Sequence, residues 1–260
     1  MCPYQLPADY YIKLGYALMF KKKRSLQRDA RHVLQGLKPP LELRGAEHIS
    51  AGGRYLVTVN HYTAQGHNVL WSALAISAAI PTEVHWVMTN AWTFPGKPMR
   101  QLLRHASELF FARLAAIYGI SLTPPMPPDP REQVARALSI RHLLAFARQE
   151  TEAVIGFAPE GRDFPGNLLG WPPYGAGRLM LELSRLGYSI LPAGVSREDD
   201  VLVLRFGPVY ELNVPEELSK EEQDRRSSQQ VMTHIASLLP QNLRGVFDAD
   251  VSSTQTLPKI

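Results

Sequence analysis

The chain has 260 residues, 45% of them hydrophobic and 20% charged, which suits one large α/β domain or two small ones and excludes a disordered protein. Its single cysteine, Cys2, excludes an intramolecular disulfide and leaves the fold free of any need for an oxidising compartment. The net charge of +4 is uneven: residues 1–45 carry nine Lys or Arg against three acids, so that segment is +6 and the remainder −2.

Along the chain, Tyr10 to Phe20 is an apolar run rich in tyrosine, followed directly by Lys21, Lys22, Lys23 and Arg24. It falls short of the roughly 20 apolar residues that a spanning helix needs. Its charges follow the apolar run and no small-residue cleavage site is evident, so a cleaved signal is not expected. Two uses remain. The segment 10–31 can lie on an anionic membrane surface, or its helix can pack on the domain with the lysines in solvent. No nucleic-acid motif accompanies the charges, and nucleic acid is not an expected partner.

A basic helix is predicted at about 25–37, and Lys38-Pro39-Pro40 breaks it. Leu41 to Arg44 alternates like a short strand. Gly52-Gly53 turns into a strongly β-forming run, Arg54 to Val59, which ends at Asn60-His61. Val69 to Ile80 reads as a buried helix stopped by Pro81. Glu83 to Thr89 alternates as a strand with Val84, Trp86 and Met88 inward, and His85 falls on its polar face, solvated or hydrogen-bonded. A helix at 97–118, a short strand at 118–123 and a helix at 131–149 come next. The strand 153–157 delivers Ala158-Pro159-Glu160-Gly161-Arg162. A glycine- and proline-rich loop then opens a helix at 175–186, followed by strands at 189–194 and 201–206 and a polar helix at 215–238. Such alternation indicates an α/β fold, a mixed central sheet flanked by helices. Ligands of such sheets gather at the carboxyl ends of strands, where His61 and Glu160 both fall.

Several chemistries lose support from what is missing. Gly194-Val-Ser196-Arg-Glu198 fails the last position of a nucleophile elbow. Gly170 to Gly177 lacks the Lys-Ser/Thr of a phosphate-cradling loop, and no Gly-x-Gly-x-x-Gly follows a strand. His61 and His67 lie six apart with no ligand spacing around them, so no metal is expected. A histidine at a strand end, without a serine or cysteine nucleophile, suits general-base work on a substrate hydroxyl; a lone histidine is also often structural.

Six segments then fall in a characteristic order: Asn60-His61, the turn Ala91 to Gly96, Gly119-Ile-Ser-Leu122, Ala158-Pro-Glu-Gly161, Tyr174-Gly-Ala-Gly177 and Ile190-Leu-Pro-Ala193. Their order and separations resemble the glycerolipid acyltransferases, the lysophosphatidic acid acyltransferase-like family, and Phe206-Gly-Pro208 and Leu239 to Gly245 extend the likeness over about 40–247. The resemblance implies a single glycerol-3-phosphate acyltransferase-like domain over 38–247, with a basic amphipathic helical segment at 1–37 and a tail at 248–260. It implies an enzyme moving a fatty acyl group from acyl-CoA or acyl carrier protein, as co-substrate and without other cofactor, to a hydroxyl of a lysolipid or related alcohol. His61 is then the general base, with Asn60, Glu160, Gly161 and Arg162 binding substrate. Residues 69–80 and 83–96 supply apolar wall, and the protein sits peripherally on the cytoplasmic side of a membrane.

Two departures qualify the likeness. The family's His-x-x-x-x-Asp becomes His61 with Gly66 in fifth place, so the imidazole lacks its usual orienting acid. Glu160, Asp163 or a backbone carbonyl are the groups that can stand in; otherwise the chain is an inactive, membrane-associated lipid-binding module. The family's Glu-Gly-Thr-Arg becomes Glu160-Gly-Arg162-Asp163, with an acid where an arginine usually meets phosphate. Bidentate cations bind phosphate and Asp163 repels it, so a less phosphate-dependent acceptor is expected.

Overall fold

Branched apolar residues in a short run suit a strand covered on both faces. Leu56 to Val59 is such a run, and in the computed structural model it forms the body of β2 (Tyr55–Val59), the middle strand of a seven-stranded sheet. The structure describes residues 4–50, 52–63, 67–93, 96, 99–150 and 152–249. Gly66, Cys2, part of the turn 91–96 and nearly all of the tail 248–260 therefore lie outside the described residues.

The remaining strands are β1 (Glu42–Arg44), β3 (Val84–Thr89), β4 (Ser121–Thr123), β5 (Val154–Phe157), β6 (Ser189–Glu198) and β7 (Val201–Phe206). They stand in the order β1-β7-β6-β2-β5-β3-β4. β2 runs parallel to both β5 and β6, β3 parallel to β5 and β4, and only the β6–β7 pairing is antiparallel. The sheet is mixed, as expected. Opposite Val57 stands Gly156 and opposite Thr58 stands Phe157, so β2 and β5 end side by side.

Side chains alternate across a strand, and the two faces have separate covers. Val57 and Val59 pack with Trp71, Leu74 and Ile76 of α3 (Val69–Ala79), together with Ala30 and Val33 of α2 (Leu26–Gln35). Leu56, Ile155 and Ile190 face the other way, onto α5 (Gln133–Gln149), α6 (Ala176–Arg185) and α7 (Lys220–Ser237). On the first face Val84 and Trp86 are buried as expected, and Met88 packs at the margin. Gly156 makes room for the Trp86 ring, since a Cβ there would lie 2.6 Å from it. His85 is hydrogen-bonded: its Nε2 meets Ser121 Oγ at 2.8 Å and its ring stacks on Phe146 at 3.8 Å. Burial pushes that imidazole down to about 4, so it is a neutral structural histidine at physiological pH.

α2 shares one core with the sheet through Leu26, Ala30 and Val33, so the boundary at residue 37 divides elements of a common core. α1 (Ala8–Phe20) buries Tyr10 and Ala17. It meets α4 (Arg100–Tyr118) near a polar knot: the Arg24 guanidinium donates to Asp29 at 2.7 Å, Tyr118 Oη donates to Asp29 at 2.6 Å, and Tyr10 Oη lies 3.4 Å from Tyr118 Oη. Among the described residues no helix is long and apolar enough to cross a membrane.

α6 and α7 pack closely, and Gly177 permits it. A Cβ at 177 would stand 2.0 Å from the Asp224 carbonyl oxygen and 2.6 Å from Ser228 Oγ. Gly177→Ala is expected to cost about 1–3 kcal/mol, the usual range for overpacking, read as a lower urea midpoint at unchanged slope. An unchanged midpoint would mean that the two helices can part without loss.

Candidate active site

The site begins where β2 ends. Asn60 is buried and its amide acts as an added rung of the sheet: Nδ2 donates to Val195 O at 2.9 Å and Oδ1 accepts from Val195 N–H at 2.7 Å. With its side chain held on β6 in this way, Asn60 directs the next residue out of the strand. His61 comes next, its side chain 18% exposed.

β5 ends beside it and supplies Glu160, 1% exposed. Both carboxylate oxygens accept backbone N–H groups, Oε2 from His61 at 2.8 Å and Oε1 from Gly170 at 2.8 Å. Burial is the largest influence on this carboxyl and pushes it up to about 7, against the opposing pull of the two N–H donors, with the Asp163 charge adding to the rise. Glu160 thus ties the exit of β2 to the loop after β5. Gly161 turns that loop at φ +63, a left-handed value that favours glycine, and its N–H donates to Ala158 O at 3.1 Å.

Two further contacts clip the same loop to the β2 exit. Asp163 Oδ1 lies 2.8 Å from His61 Nδ1, and Asn167 Oδ1 accepts from Thr63 N–H at 3.1 Å. Asp163 is 53% exposed, so its carboxylate stands at the open side of the ring. An ionised carboxylate at Nδ1 takes the Nδ1–H tautomer and leaves the Nε2 lone pair available. No described residue hydrogen-bonds Nε2. Arg162 turns away onto Phe164, its guanidinium carbon 4.6 Å from the ring centroid.

An apolar cleft of about 130 Å³ opens beside this arrangement, walled by Ala158, Pro159 and Gly161 together with Val87, Ile140 and Leu179. α6 begins at its edge with Gly175 and Ala176. The N–H groups of Gly175 and Arg178 at that helix start are already taken by Asp224 Oδ1, at 3.0 and 2.9 Å.

Of the residues singled out in the sequence, His61, Glu160 and Gly161 come together at one end of the sheet. Asn60 and Glu160 hold backbone, and their polar atoms point into the protein. Gly161 borders the cleft, and Arg162 lies against Phe164. The expected apolar wall falls elsewhere: α3 places Trp71, Leu74 and Ile76 in the core, and among the described residues of 83–96 only Val87 lines the cleft. Asn167 and Gly170 carried no signal in the sequence, because their partners Thr63 and Glu160 are reached only through the fold. Among the described residues no cluster of His, Cys, Asp and Glu could hold a metal ion.

The acyltransferase family model matches residues 40–196, more than half of the chain, and the chain belongs to the acyltransferase family. The motif order read from the sequence stands at that level. Among solved structures the chain is similar to the 1-acyl-sn-glycerophosphate (LPA) acyltransferase PlsC from Thermotoga maritima, at 12% identity and a TM-score of 0.48, with 97% of this chain and 93% of that one covered. A search of the curated proteins found no match.

Proposed function

We propose that this chain transfers a fatty acyl group from a thioester carrier, acyl-CoA or acyl carrier protein, to the hydroxyl of a lysolipid or related alcohol, with His61 as general base. The observation that carries the reading is an imidazole at a strand end with Nδ1 on a carboxylate and Nε2 unengaged. Nε2 takes the hydroxyl proton as the acceptor oxygen attacks the thioester carbonyl carbon. The carbon–oxygen bond forms, the carbon–sulfur bond breaks as the tetrahedral adduct collapses, and the imidazolium returns its proton to the leaving thiolate. Ester and free thiol are the products.

The acceptor side favours an uncharged group next to the reacting hydroxyl. Asp163 presents a half-exposed carboxylate there, and Arg162 lies on Phe164, so the pair offers repulsion rather than a bidentate clamp for phosphate. The cleft of about 130 Å³ is smaller than the roughly 300–1,000 Å³ of a whole ligand pocket. A long acyl chain would therefore place one portion in it and lie with the remainder against open surface. The alternative, an inactive lipid-binding module, drew its support from Gly66, and the Asp163 contact weighs against it.

The test is to incubate the purified chain with acyl thioesters and a panel of lysolipids and alcohols, and to track thiol release and acylated product. Acceptor-dependent release that His61→Ala abolishes supports the reading. Equal, slow release by both proteins overturns it.

A membrane surface is the proposed partner of α1. Tyr11, Ile12, Tyr16, Met19 and Phe20 are 55–74% exposed, next to Lys21, Lys22 and Lys23. Buried large apolar side chains contribute about 1.5–3 kcal/mol each, and basic residues at an anionic surface about 1 kcal/mol each. Ile12→Glu combined with Phe20→Glu is expected to weaken binding to anionic phospholipid vesicles by about ten-fold or more, measured by co-sedimentation. Undiminished binding would remove α1 from the interface.

A further inference from the structure

We infer that Asp163 is the positioning residue for His61, filling from the loop after β5 the office that position 66 leaves vacant. The inference rests on the proposed use of His61 as a base and goes one step beyond it. Position 66 is glycine and has no side chain with which to hold an imidazole. Asp163 lies 102 residues from His61 in sequence, yet its Oδ1 stands 2.8 Å from Nδ1. Among the described residues the other carboxylate that contacts His61 is Glu160, and both of its oxygens are already occupied by the backbone N–H groups of His61 and Gly170. Glu160 thus holds the backbone of His61 while Asp163 holds the ring.

The loop is braced so that Asp163 stays in reach. Glu160 anchors its start at the His61 amide, Asn167 anchors its far side at Thr63 N–H, and Leu169 N–H donates to Leu243 O at 3.0 Å. Gly170 is held at the loop's end by Glu160 and packs under the Phe164 ring, where a Cβ would come within 2.3 Å of it. Asp163 therefore sits between fixed points on either side. Its acid charge has two effects at once: it orients the imidazole, and it makes the acceptor side unfavourable to phosphate.

The test uses the full chain labelled with ¹⁵N-histidine, in wild type, Asp163→Asn and Asp163→Ala, all at one mildly alkaline pH. Among the eight histidines, the His61 signals are those absent from His61→Ala. In wild type the Nδ1–H form is expected. In Asp163→Asn the side-chain amide can donate to Nδ1, and in Asp163→Ala the partner is gone, so both should shift toward the Nε2–H form. kcat should fall about 10–100-fold with KM within about two-fold, less than the ~10⁴-fold seen for a buried triad acid because Asp163 is half exposed.

Nitrogen spectra unchanged by both substitutions overturn the inference, as does unchanged kcat. If wild type transfers no acyl group to any acceptor, the proposed function fails, and the tautomer shift still decides the role of Asp163. If transfer depends on His61 and not on Asp163, the function stands and this inference falls.

Discussion

Replacement of His61 by alanine is expected to lower kcat/KM for acyl transfer by about 10²–10⁴-fold, the usual contribution of a positioned general base. The fold should survive the change. The ring is partly exposed, its pairing with Asp163 lies at the surface where such contacts contribute ~0–1 kcal/mol, and the backbone N–H that reaches Glu160 remains in place. A loss of rate with an unchanged thermal midpoint therefore isolates chemistry from stability. A His61→Ala protein that still transfers within a factor of a few would exclude the imidazole from proton transfer and assign the reaction to another group.

The second large effect concerns Glu160 and falls on stability as well as rate. Glu160→Ala leaves the amides of His61 and Gly170 without an acceptor in a buried setting, at about 1–3 kcal/mol for each unpaired group. The β2 exit and the loop after β5 lose their common anchor, so activity should fall with the midpoint. Glu160→Gln keeps one acceptor and its midpoint should fall less. The pH dependence is the sharper readout. Burial raises the folded-state carboxyl from 4.5 to about 7, so the folded protein keeps its proton over a range in which the unfolded chain has lost it. Stability from this group is complete below about pH 4.5 and is lost as pH rises through about 7, a decline of roughly 3 kcal/mol. Glu160→Gln cannot ionise and should flatten that decline in chemical denaturation between pH 5 and 8. An equal slope in both proteins would assign the effect to other groups.

The sequence made legible what depends on local pattern. Alternation and β-forming runs located all seven strands within a few residues and set His61 and Glu160 at the carboxyl ends of two of them, which the fold makes neighbours. β6 ran past its expected end at 194 because Asp199-Asp200 makes the hairpin turn with both residues at positive φ. That turn needs left-handed residues, and Asp-Asp is a weaker signal for it than Asn-Gly. Ser196, Arg197 and Glu198 fell outside the expected strands, though Ser196 is buried and Arg205 pairs with Glu198 across the strands. The role of Glu160 was harder to read. A carboxylate in a motif suggests a substrate contact, whereas its acceptors serve amides 99 and 10 residues away, and no local pattern encodes that pairing. Asp163 was visible as a misplaced acid. Its partner became apparent only once two loops from adjacent strands met.

The segment that carries the family's motifs does not stand by itself. The family match ends at Ser196, partway along β6, and the residues beyond that point complete the domain. β7 supplies the antiparallel neighbour of β6, Val231 and Ile235 seal one face of the sheet, and Asp224 satisfies the first amides of α6 at the rim of the cleft. Severing the chain after 196 would bare a sheet edge and strand the helix that borders the apolar cleft. Phe247 at the far end of this stretch is wholly enclosed, so residues 197–247 are a buttress for the candidate site.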